Sequence, residues 1–174
     1  MMKKMIALML SVVLALSLFV GCSDAKKEET DNKGKETKAA EMQGEEVTID
    51  KITVTVPEGW KAIPNEMNKG AVYVIKGGED PMENPYIHIV AGVTQLPPKE
   101  GYDEVVDEKP MELDNFTWNG FSGDSFGYPI TVLGAEQEDG TFIQLEMFKD
   151  IEGKTYNIDD ADVQFIVGSI KVAK

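Results

Sequence analysis

The chain has 174 residues, with 31 Asp and Glu against 17 Lys, no Arg, and a net charge of −14. That balance argues against a nucleic-acid binder, which must neutralise phosphates, and the lack of Arg removes the bidentate fork for phosphate or carboxylate. A single Cys and a single His exclude an internal disulfide and a multi-histidine zinc site within one chain.

Lys3 and Lys4 precede a run from Met5 to Val20 in which only Ser11 and Ser17 are polar. A positive start, a short apolar core and a small residue at a cut site describe a secretory signal. The run is short for a spanning helix, which needs about 20 residues. Its end, Leu18-Phe19-Val20-Gly21-Cys22, resembles the lipobox of bacterial lipoprotein signal peptides. Gly21 and Cys22 match that motif, while Phe19 and Val20 stand where leucine and a small residue are usual. The resemblance implies cleavage between Gly21 and Cys22, with a diacylglyceryl group on the Cys22 thiol. Two acyl chains then hold the protein at the membrane, each buried methylene contributing about 0.8 kcal/mol. The expected location is the extracytoplasmic face of the cell membrane. Losing Lys3 and Lys4 with the signal leaves 15 Lys against 31 acids, a net −16.

Residues 22–46 follow as a lysine-rich and acidic tether in which Met42 is the only sizeable apolar side chain after Cys22. Such a segment buries too little apolar surface to offset chain entropy and is expected to be disordered, with a reach of roughly 25–30 Å. Residues 47–174 form the expected globular domain.

Within it, Ile52, Val54 and Val56 alternate with Thr53 and Thr55, the period of a half-buried strand. Pro57-Glu58-Gly59 is a turn, followed by Trp60. Strands are expected over 71–75 and 86–93, the second central because its apolar run is nearly continuous. Tyr102, Val105 and Val106 stand at i, i+3 and i+4 among acids, the spacing of a short amphipathic helix ended by Pro110. Met111–Asp114 and Phe116–Asn119 read as one interrupted strand, and 121–128 as a glycine-punctuated arm. Residues 130–137 and 141–148 flank Glu138-Asp139-Gly140, a strong hairpin signal. Asp159 is the expected cap of a last helix that buries Val163, Ile166 and Val167, before a short return strand over 169–172.

Antiparallel strands with two helices imply an α+β fold, helices packed against a twisted antiparallel sheet. Val54-Thr55-Val56-Pro57-Glu58-Gly59-Trp60, the central hairpin and the closing run from Val163 to Val172 resemble the PsbP-like fold family. That family shares structure and not activity, so the resemblance implies the α+β architecture and no residue role.

Chemistry is sparse. His88 shares a strand face with Tyr86 and Val90 and reads as structural, since a base needs a partner and a nucleophile. Gly120-Phe121-Ser122-Gly123-Asp124 fails the nucleophile elbow, because Asp124 stands where that motif needs glycine. Glu136, Glu138 and Asp139, and Asp159, Asp160 and Asp162, are acidic groups that could hold calcium. They are better explained as turn chemistry and as charge at a helix start. Aromatic residues gather from Phe116 to Tyr128. Exposed, they would grip a ligand; buried, they are core, which is the favoured reading. Trp60, Trp118, Phe121 and Tyr128 are the candidate ligand or partner surface. No catalytic residue, metal or cofactor is expected. The expected function is a non-enzymatic, lipid-anchored binding module for a protein or cell-wall ligand. The alternative is a surface hydrolase acting on carbohydrate or cell wall through carboxylates.

Overall fold

The computed structural model describes residues 42–114 and 116–173. The signal run, Gly21, Cys22 and most of the tether lie outside the described residues. Among the described residues no helix is long and apolar enough to cross a membrane.

The chain enters as β1 (Gly44–Ile49), so the last three tether residues already pair with β2 (Ile52–Pro57). Asp50, at φ 53°, turns the chain between them. Ile52, Val54 and Val56 of β2 point inward, as their alternation predicts. Then come β3 (Trp60–Pro64), β4 (Ala71–Lys76) and β5 (Tyr86–Val93). A single 3-10 turn at Lys99–Gly101 leads to β6 (Asp103–Asp107), β7 (Met111–Leu113) and β8 (Phe116–Ser125). The predicted hairpin is β9 (Tyr128–Glu136) and β10 (Phe142–Phe148). A small hairpin, β11 (Asp150–Ile151) and β12 (Lys154–Thr155), precedes α1 (Ala161–Gly168) and β13 (Lys171–Val172).

The strands make an eight-stranded antiparallel sheet in the order β3-β4-β5-β10-β9-β8-β6, with β7 also on β8, and a three-stranded sheet β1-β2-β13. One face of the large sheet carries Val72, Val74, Ile87, Ile89, Trp118, Leu133, Leu145 and Met147. These pack with β2 and with Val163, Ile166 and Val167 of α1 to form the main core. Burial of each such aliphatic side chain contributes about 1.5–3 kcal/mol. Ser169 fastens the end of α1 to the small sheet: its hydroxyl donates to the Ile166 carbonyl at 2.7 Å and accepts the Thr55 N–H at 2.8 Å.

The α+β expectation is corrected. Of the described residues, 54% are in strands and 8% are helical, with one α-helix. The helix expected at Tyr102–Asp107 is β6. Asp103 pairs with Asp124 and Val106 with Ser122, so three steps along β6 match two along β8. That extra residue is a β-bulge, with Glu104 at φ 51°. It brings Tyr102 and Val105, three residues apart, to the same apolar cluster, with Phe121, Ile130 and Val132. A bulged strand therefore imitates helical spacing. The supposed interrupted strand is a tight hairpin, with Leu113 opposite Phe116 and Met111 opposite Trp118. The final helix lies where the apolar spacing placed it, but its cap position is Asp160 rather than Asp159.

The link from β5 to β6 crosses the second face of the large sheet. Leu96 lies so close over Gly134 that a Cβ there would meet it at 2.4 Å. Tyr102 packs edge-on against Phe121 at 5.0 Å. Together they cover the β8 and β9 side; on the β4-β5-β10 side of that face Gln144 is buried and Tyr73, Tyr86, His88, Glu146 and Phe148 are partly exposed.

Candidate functional site

The β4-β5-β10 part of the second face is built by strand parity. Tyr73 of β4 pairs with His88 of β5, and His88 pairs with Glu146 of β10. Tyr86 and Phe148 form the next direct pair on the same face. Gln144, two residues before Glu146, completes it. Residues i and i+2 share a face on each strand, so pairing alone gathers these six side chains.

Their geometry is specific. Tyr73 stacks on the His88 ring at 4.6 Å, and Tyr86 stacks on Phe148 at 4.8 Å. Tyr73 meets Tyr86 edge-on at 5.4 Å. His88 Nδ1 lies 3.1 Å from Glu146 Oε2, and the Gln144 amide donates to Glu146 Oε1 at 2.8 Å. On the other side, Asn65 Nδ2 stands 3.1 Å from His88 Nε2.

Asn65 decides the protonation pattern. Its Oδ1 accepts the backbone N–H groups of Met67 at 3.0 Å and Asn68 at 3.2 Å, which fixes the orientation of the amide. The NH2 therefore faces the ring and donates to Nε2. Neutral His88 then carries its proton on Nδ1 and donates it to Glu146. Both ring nitrogens are engaged.

Glu146 sets the local field. Among the described residues no lysine forms an ion pair with it; the lysine pairs are Lys61–Glu79, Lys76–Asp162, Lys99–Asp107 and Lys171–Glu46. Burial, and then the Glu146 charge, push the Tyr73 and Tyr102 phenols above their ordinary range. Burial, then Tyr73 and Glu146, raise Tyr86 further. The three phenols are therefore neutral over the physiological range.

Three of the four expected surface aromatics are corrected by burial. Trp60, Trp118 and Phe121 are 6%, 0% and 3% exposed, because Trp60 and Trp118 face the main core and Phe121 lies under Tyr102 on the second face. The Trp60 indole N–H donates to Asp162 Oδ2 at 2.7 Å, with Lys76 Nζ 5.5 Å from the ring and Tyr156 edge-on at 5.5 Å. Tyr128 is half exposed beside Phe126. No known family, curated protein or solved structure matches this chain.

Ser122 bonds to Glu108 and to Thr131, the latter at 2.7 Å. By strand parity it lies on the face opposite His88. The acidic groups are occupied locally: Asp139 Oδ1 accepts the Thr141 N–H and hydroxyl, and Asp160 Oδ2 accepts the Asn157 N–H. Among the described residues no group of three His, Cys, Asp or Glu is placed to hold a metal ion.

The sequence reading left out Asn65, Gln144 and Glu146. One signal was available. Gln144, Glu146 and Phe148 alternate along a predicted strand with Ile143, Leu145 and Met147, which marks a second face with its own chemistry.

Proposed function

We propose that this protein is a membrane-anchored extracytoplasmic lipoprotein whose folded domain is a non-enzymatic binding module. The binding surface is the partly exposed sheet face around His88 and Glu146. The observation that carries the module reading is that Asn65 and Glu146 engage both nitrogens of His88. With Ser122 on the other face and both ring nitrogens engaged, the ring acts as a fixed part of a surface. Partly exposed aromatic rings beside oriented polar groups support that reading.

The anchoring rests on Lys3, Lys4, the apolar run and the Gly21-Cys22 junction. Feeding cells a clickable fatty acid tests it. Wild-type protein takes up label, and Cys22→Ser remains unlabelled and leaves the membrane fraction. Unlabelled wild-type protein overturns the anchor.

A further inference from the structure

We propose that the tip of the β8–β9 hairpin, Phe126 and Tyr128, rests in the headgroup layer of the membrane that holds the Cys22 lipid, as a second contact that depends on the anchor. This rests on the reading of the chain as a lipoprotein and adds the surface that its domain turns towards the bilayer.

The tip is costly to the isolated fold. Phe126 is 98% exposed and sits at φ 55°, a left-handed conformation that a residue with a side chain adopts at a cost. Tyr128, the one expected surface aromatic that stays outside the core, is 50% exposed. From Ser125 to Pro129 the sequence carries no charge, in a chain whose residues are 28% charged. The tip is also prepared to leave water. Asp124 Oδ1 accepts the Gly127 N–H at 2.6 Å, Ser125 pairs with Tyr128, and Pro129 has no N–H to satisfy. Aromatic rings of this kind favour the boundary between headgroups and acyl chains.

Placement names the occupant. β1 begins at Gly44 opposite Pro57, and the turn at Glu58 and Gly59 leads from there to Trp60 on the border of the large sheet. The Gly59 carbonyl accepts the Gly77 N–H at 2.7 Å, which joins that end of β3 to the end of β4. Ile75, Tyr86, Phe148, Ile130 and Gly123 form one row across the sheet. Beyond that row, at the same ends of the strands, lie Gly59, the loop carrying Met82, and the Phe126 turn. The chain from Cys22 thus enters the domain at the end of the sheet where the tip projects. Among the described residues, Met82, Phe126 and Tyr128 are the exposed large hydrophobic side chains at this end, and Met67 and Val106 stand away from it.

The tether expected over residues 22–46 has a reach of roughly 25–30 Å, so the tip meets lipid at a high local concentration. Charge does not supply the attraction, since Glu79, Asp80 and Glu83 stand on the Met82 loop of the same end. The contact is apolar, shallow and dependent on the tether.

The test uses full-length, lipidated Phe126→Trp in phosphatidylcholine vesicles, with and without bromine on the upper acyl chain. Trp60 and Trp118 are buried, so the wild-type emission supplies the background. The expected result is a blue-shifted Phe126→Trp emission that brominated lipid quenches, with wild-type emission unmoved by bromine. Adding Cys22→Ser to the same variant is expected to abolish the quenching. Tyr128→Trp is expected to be quenched likewise, and it serves if Phe126→Trp misfolds. Fatty-acid labelling of the same preparation reads the anchor separately. Labelled protein whose emission ignores bromine overturns the tip contact and leaves the anchor standing. Unlabelled protein overturns both. A blue shift that bromine does not quench and that grows with protein density gives the tip to a second copy of the chain, and it too overturns the lipid contact.

Discussion

Asn65 Nδ2 stands 3.1 Å from His88 Nε2 and 3.1 Å from the Tyr73 hydroxyl, so one turn residue locks two neighbouring rings. The lock works because Asn65 Oδ1 is already committed to the turn backbone. Nitrogen NMR of neutral His88 should therefore show the proton on Nδ1. Asn65→Ala should mix the two tautomers and lower stability by about 1 kcal/mol through the lost turn bonds, as at a helix cap. A single Nε2–H tautomer in the wild-type protein would refute the arrangement.

Phe126 sits in the two-residue turn between β8 and β9 at φ 55°, followed by Gly127 at φ 88°. A left-handed residue in such a hairpin favours Asn, Asp or Gly, and here the ring is 98% exposed. Phe126→Asn should stabilise the protein by about 1 kcal/mol in urea denaturation. A loss of stability would mean that the ring contributes to the isolated fold.

Tyr156 is buried and donates its hydroxyl to the Tyr86 carbonyl at 2.9 Å. Burial, and then Tyr86, raise its ionisation well above the ordinary value of 10.0. Below that value both folded and unfolded states keep the proton, and this contribution to stability is fully present. Above it the unfolded chain ionises first, so stability falls as pH climbs towards the folded-state value. Denaturant melts from about pH 8 to about pH 11 should show that decline, and Tyr156→Phe should make it shallower. At neutral pH the same change should cost about 1 kcal/mol for the lost hydrogen bond. An identical alkaline slope in Tyr156→Phe would exclude this tyrosine as a source.

Much of the strand framework was legible locally. The Thr-Val alternation of β2 and the Asp139-Gly140 turn of the β9–β10 hairpin each depend on neighbours within a few residues. The side of β5 that His88 shares with Tyr86 was legible for the same reason. Its partners were not, because Asn65 lies 23 residues before it and Glu146 lies 58 after it. Only sheet order joins them. The β6 error has a definite cause, since one extra residue at Glu104 converts a two-residue period into a three-residue one. Trp118 and Phe121 lie three apart yet are both buried, because β8 is covered on each of its faces, by the main core and by Tyr102 and Val105.

The bend at Glu104 has a further effect, on relations between copies of the protein. β6 ends the large sheet, where unpaired backbone groups would invite a neighbouring molecule to dock strand against strand. The bulge interrupts that row, and Asp103 and Glu104 line it with like charge. The opposite border, β3, is five residues long and closes at Pro64, which has no N–H to offer. Molecules crowded on one surface would thus meet at borders that refuse to zip, and remain separate rather than growing into ribbons.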